Sequence, residues 1–61
     1  MGGLHHLAYL TASLDAKRDD LAAQGMRFLE NTHVKGAGPF RCNFVSPIYT
    51  RGLTIEFIEL L

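Results

Sequence analysis

A chain of 61 residues supports one small domain in which folding removes roughly 60% of the unfolded surface from water, so stability is marginal and help from a partner is expected. Six Lys and Arg balance six Asp and Glu, which withholds the basic excess that a nucleic-acid or anionic-membrane surface needs. No apolar run approaches the roughly 20 residues of a bilayer span, Met1-Gly2-Gly3 lacks the parts of a signal peptide, and the single cysteine, Cys42, cannot close a disulfide within the chain; a cytoplasmic setting is expected.

In chain order, Leu4–Leu10 is short and apolar and predicts a mostly buried first strand. Strand alternation puts His6, Ala8 and Leu10 on one face and His5, Leu7 and Tyr9 on the other. Ser13 offers an N-cap and Asp15 suits the positive end of a helix dipole. Leu14, Leu21 and Ala22 recur at helical spacing, with the Arg18 stem filling the stripe and Lys17, Asp19 and Asp20 facing water. Gly25 is the expected left-handed stop. Met26–Glu30 predicts a second strand, and the glycine-rich stretch from Asn31 to Pro39 predicts a loop or long hairpin connection. Phe40–Val45 predicts a third strand ended by Ser46-Pro47, because proline withdraws a ladder donor. Gly52 then opens a fourth strand, Leu53–Leu61, with Thr54, Glu56, Ile58 and Leu60 on one face and Leu53, Ile55 and Phe57 on the other.

The expected fold is α+β: a single βαβββ module over residues 1–61, with a four-stranded mixed sheet and one helix on one face. One helix covers one face. The other, carrying His6, Ala8, Glu56 and Ile58, stays open and invites a second copy or a small-molecule ligand.

Neutral imidazole nitrogen and carboxylate oxygen together suit zinc, manganese, nickel, cobalt or ferrous iron, so His6 and Glu56 are candidate metal ligands on one face. Glu56 has the stronger case, since a mid-strand carboxylate between Ile55 and Phe57 is costly to bury unless paired or metal-bound. For His6 the plain alternative is a strand histidine bonded to neighbouring backbone. Two ligands do not hold an ion, and the others must come from elsewhere. His5 reads as structural, His33 as exposed in a polar loop, Glu59 as solvated near the chain end, and Arg41 and Arg51 as solvated surface. Tyr9, Phe28, Phe44 and Phe57 are expected in the core, and Tyr49 at a cup mouth. Gly36-Ala37-Gly38 lacks the lysine and the strand-turn-helix context of a phosphate cradle.

The order βαβββ, with Gly3-Leu4-His5-His6-Leu7-Ala8, the helix stop at Gly25, Gly36-Ala37-Gly38 before the Arg41–Phe44 strand, and Thr50-Arg51-Gly52-Leu53-Thr54-Ile55-Glu56-Phe57, resembles one module of the vicinal oxygen chelate superfamily. The resemblance is to the C-terminal module of its methylmalonyl-CoA epimerase-like members and covers nearly the whole chain. It implies that His6 and Glu56 ligate a divalent metal and that the module pairs with a second module, or a second copy of itself, to form one cup. It also implies a metal-dependent isomerase or lyase, epimerase- or glyoxalase-like, acting through a stabilised enolate. Glu56 would then alternate between ligand and base in a symmetric pair. Asn43 stands where a small apolar residue is commoner, which implies a different cup lining. Two other readings are a non-catalytic small-molecule binder of the bleomycin-resistance type and an inactive half-domain scaffold.

Overall fold

The computed structural model describes residues 6–61, so the predicted strand positions Leu4 and His5 lie outside the described residues. Its elements are β1 (His6–Leu10), α1 (Leu14–Ala23), β2 (Val34–Lys35), β3 (Phe40–Phe44), a 3-10 turn (Pro47–Tyr49) and β4 (Thr54–Leu60). They form one four-stranded sheet in the order β1-β4-β3-β2, with β1 parallel to β4 and the other pairs antiparallel. The expected βαβββ module with a mixed sheet and one helix is the observed fold.

The helix ends as the sequence dictates. Ser13, in extended backbone, accepts from the Ala16 amide through its hydroxyl. At the other end Gly25 takes φ +78°. The Gly25 amide donates to the Ala22 carbonyl and the Met26 amide to the Leu21 carbonyl, which is the Schellman pattern a left-handed residue permits. The buried stripe of α1 is Leu14 and Leu21, which join Phe28 and Val45 in the core, with Met26, Tyr49, Ile55 and Phe57 packed around them. Ala22 is exposed rather than part of the stripe. Lys17 is not given to water either: its ammonium stands 5.0 Å from the centroid of the Phe57 ring, a cation–π contact that lets its stem cover the sheet.

The second strand lies elsewhere than predicted. Met26–Glu30 keeps only a bridge between Phe28 and Val45, flanked by the Leu29 amide on the Phe44 carbonyl and the Ser46 amide on the Arg27 carbonyl. The reason is Asn43. Its side chain is fully buried, accepts from the Glu30 and Phe44 amides through Oδ1, and donates to the Glu30 carbonyl and to His33 Nδ1 through Nδ2. A side-chain amide thus replaces the ladder hydrogen bonds at Glu30, and the chain peels away from the sheet there. It returns within the predicted loop, where Val34 and Lys35 pair with Cys42 and Arg41. The hairpin tip depends on Gly36, because a Cβ there would overlap the ring of Phe40.

Residues paired across the ladder share a face. The face bearing α1 carries Leu7 and Ile55; Tyr9, Phe57 and Asn43; and Glu59, Arg41 and Lys35. Glu59 was expected to be solvated, yet its carboxylate accepts from the Leu14 amide at 2.9 Å and from Arg41 at 3.3 Å. It is the link between the start of α1 and the sheet, where an unpaired helix amide and the positive dipole end both favour a carboxylate. Arg41 is tied to it rather than left as solvated surface.

Candidate functional site

The opposite face carries His6 and Thr54 in one row, Ala8, Glu56 and Phe44 in the next, Leu10, Ile58, Cys42 and Val34 in a third, and Leu60 with Phe40 last. No helix covers it among the described residues. Leu10 and Leu60 are exposed by 72% and 66%.

His6 and Glu56 meet on this face. Glu56 sits beside Ala8 in the ladder, so His6 reaches it along the diagonal from the adjacent row, and Nε2 lies 2.7 Å from Oε1. An ionised carboxylate only accepts, so the imidazole donates through Nε2 in this contact. The two groups differ in setting, with the His6 side chain 51% exposed and that of Glu56 15%. Glu56 is therefore the anchored member and His6 the one presented to solvent. Cys42, one row along on β3, is buried on this face; burial first, and then the nearby Glu56 carboxylate, push its thiol above the ordinary range. Its inertness fits a core cysteine rather than a nucleophile. No group of three or more His, Cys, Asp or Glu side chains converges to hold an ion among the described residues.

The remaining candidates fall away from this face. Asn43 does not line the open face; it is buried on the helix side. Tyr49 borders a groove of about 380 Å³ on the helix side with Tyr9, Leu21, Met26, Leu53 and Phe57, and so stands behind the sheet from His6. Tyr9 is 48% exposed, a strand-edge residue rather than a core one. Arg51 is exposed, with the left-handed φ of 56° that the turn into Gly52 imposes.

His33 is the functional-looking residue that sequence reasoning placed wrongly. Its side chain is only 5% exposed, with Nδ1 accepting from Asn43 and Nε2 bonded to Asp15 Oδ1 at 2.9 Å. The Asn43 amide fixes the tautomer: with its oxygen committed to two backbone amides, its nitrogen must donate, so the ring proton sits on Nε2. This hydrogen bond, above all, holds the Asp15 carboxyl below its ordinary 3.8, with Arg41 and Arg18 adding to it and partial burial opposing. The only sequence signal was a histidine ten positions before an asparagine in a strand, which is no signal without the fold.

Among the described residues, fold and site define a βαβββ half-module whose uncovered sheet face presents His6 and Glu56. The solved structures similar to it are methylmalonyl-CoA epimerases, proteins of the vicinal oxygen chelate fold. The enzyme from Mycobacterium tuberculosis is 33% identical, with TM-score 0.84, over 93% of this chain and 38% of its own. A Streptomyces coelicolor methylmalonyl-CoA epimerase variant in complex with 2-nitronate-propionyl-CoA is 30% identical, with TM-score 0.76, over 92% of this chain and 40% of its own. A methylmalonyl-CoA epimerase in complex with methylmalonyl-CoA and ammonium matches at 30% identity and TM-score 0.76 over 92% and 39%. The chain thus spans about two fifths of the structures it matches. No protein-family model and no curated protein matches it. No helix among the described residues is long and apolar enough to cross a membrane.

Proposed function

We propose that this chain is one module of a metal-dependent isomerase or lyase of the vicinal oxygen chelate type, in which His6 Nε2 and Glu56 Oε1 are half of a divalent-metal site. A second module completes the cup. The observation that carries this reading is the 2.7 Å contact between an imidazole nitrogen and a carboxylate oxygen on the sheet face that no helix covers among the described residues. Ligand bonds near 2.1 Å place neighbouring donor atoms of an octahedral ion about 3.0 Å apart, so the two atoms need to part only slightly, with the ring proton moving to Nδ1 to free Nε2 for the ion. The donor set, one neutral nitrogen and one anionic oxygen, suits zinc, manganese, nickel, cobalt or ferrous iron.

When bound, such an ion supplies Lewis-acid stabilisation of the negative charge that develops on a carbonyl oxygen as the adjacent proton leaves. The chain's own residues do the rest. Ala8, Ile58 and Phe44 flank Glu56 with apolar side chains, while His6 stays open to solvent. Glu56 is the carboxylate that this face offers as a proton acceptor among the described strands. The substrate class this supports is a small acyl compound with two nearby oxygens and an acidic proton, of which a methylmalonyl thioester is an example. Free, buried Cys42 agrees with a reducing, cytoplasmic setting.

The test is metal retention after extensive dialysis, followed by deuterium exchange into methylmalonyl-CoA in heavy water. The expected result is about one ion per two modules, lost in His6→Ala and in Glu56→Gln. Retention of the ion by both variants, or failure of every divalent ion tried to bind, would remove the proposal. Retention without exchange would leave a binding protein.

A further inference from the structure

One nitrogen of the His6 ring is left over. Nε2 faces Glu56 Oε1, whereas Nδ1 has no hydrogen-bond partner among the described residues. An imidazole that ligates an ion through one nitrogen carries its proton on the other, and in metal sites that proton is almost always given to an oxygen that fixes the ring's orientation. Without such an oxygen, a ring as open to solvent as that of His6 is free to turn about its Cβ–Cγ bond and carry Nε2 off the ion.

The ladder shows which side chains border the ring. In the parallel pairing of β1 with β4, His6 stands beside Thr54 and Ala8 beside Glu56. Adjacent strands lie about 4.8 Å apart, and Thr54 and Glu56, two residues apart on one face of β4, lie about 7 Å apart. The His6 side chain leans from β1 toward Glu56, so its ring crosses over β4 between these two residues. The edge of the imidazole away from Glu56 carries Nδ1, and the polar side chain bordering that edge in the ladder is Thr54. Ala8 has no polar atom, and Glu56 is taken by Nε2. Thr54 is half-buried and its hydroxyl is uncommitted: the bonds made by threonine hydroxyls among the described residues belong to Thr11 and Thr50.

We propose that Thr54 is the positioning residue of the half-site, its hydroxyl bonding His6 Nδ1 so that Nε2 is held where the ion binds. The inference rests on the reading of His6 as a metal ligand. A hydroxyl suits both tautomers of the ring. Without the ion, His6 donates through Nε2 to Glu56 and Nδ1 accepts, so the Thr54 hydroxyl donates. With the ion on Nε2, the ring is still neutral but its proton sits on Nδ1, and the same hydroxyl oxygen accepts it. The proton leaves Nε2 to solvent and another joins Nδ1, so the charge of the ring is unchanged. A carboxylate would serve only the second state and an ammonium only the first. Valine has the branched shape and strand preference of threonine but serves neither, which makes it the discriminating replacement.

The experiment measures the zinc affinity of the 61-residue chain by competition with a chromogenic chelator, for wild type, Thr54→Val and Thr54→Ser, each checked for folding by circular dichroism. Nuclear magnetic resonance of the zinc-bound proteins, with isotope-labelled histidine, reads the proton on His6 Nδ1. Thr54→Val should bind zinc about 10–100-fold more weakly than wild type, the range found when the outer partner of a metal-bound histidine is removed. Thr54→Ser keeps the hydroxyl and should stay within about threefold of wild type. The Nδ1 proton should be resolved in wild type and Thr54→Ser, and should exchange with water too fast to be seen in Thr54→Val. Equal zinc affinity in wild type and Thr54→Val overturns the role of Thr54, with water as the partner of Nδ1, and leaves His6 and Glu56 standing as ligands. A Thr54→Ser protein as weak as Thr54→Val overturns it too, since the loss then follows shape rather than the hydroxyl. Zinc bound by none of the three removes the metal reading and this role together, a result distinct from equal affinity.

Discussion

Replacing Asn43 by alanine should remove a large part of the stability of this protein. The side chain is fully buried and makes four hydrogen bonds: to the Glu30 and Phe44 amides, the Glu30 carbonyl and His33 Nδ1. Each is worth about 0.5–1.5 kcal/mol net, and groups left buried without a partner cost more. Water entering the vacated space recovers some of that, so the loss is about 3 kcal/mol. A domain of 61 residues has a total of about 3–9 kcal/mol to lose. Asn43→Asp should be nearly as damaging, because the new oxygen faces the Glu30 carbonyl and offers no donor to His33. The assay is urea denaturation followed by circular dichroism at one fixed protein concentration, since any self-association adds a concentration term. In a double-mutant cycle with His33→Ala the losses should fall short of additive by about 1 kcal/mol, because both variants break the same bond. An Asn43→Ala protein within about 0.5 kcal/mol of wild type would refute the claim that this amide replaces a strand ladder.

Gly36→Ala should cost about 1–3 kcal/mol, because the Phe40 ring must leave its rotamer to admit a methyl group; in a Phe40→Leu background the same change should be milder. Glu59→Ala should loosen the start of α1 by about 1 kcal/mol, mostly through the lost bond to the Leu14 amide, with faster hydrogen exchange there and little change at Gly25. The ion pair with Arg41 adds little, as the Arg41 side chain is partly open to solvent. The Asp15–His33 bond should be visible in acid. Asp15 binds its proton less readily in the folded state than when unfolded, so its stabilisation is present above its ordinary 3.8 and is lost as pH falls through the lower folded value. Urea midpoints measured between about pH 5 and 2 should therefore fall less steeply in Asp15→Asn than in wild type; equal slopes would exclude this linkage.

The length, the charge balance, the Ser13 and Gly25 limits of the helix, and the strands around Cys42 and Glu56 were legible in the sequence because each rests on local chemistry: capping, the left-handed stop and period-two alternation. The same alternation put His6 and Glu56 on one face, and the ladder brought them together. Three things belonged to the tertiary structure. The second strand moved from Met26–Glu30 to Val34–Lys35 because a side chain 13 residues away outcompetes the backbone ladder at Glu30. His33 and Glu59 became structural because a buried amide and a helix amide, both distant in sequence, needed their oxygen and nitrogen atoms. β1 became an edge because β4 inserts between it and β3. Local patterns can state which face a residue takes, but strand order, and with it the open edge beside His6, follows from contacts between residues roughly fifty positions apart, which no window of sequence contains.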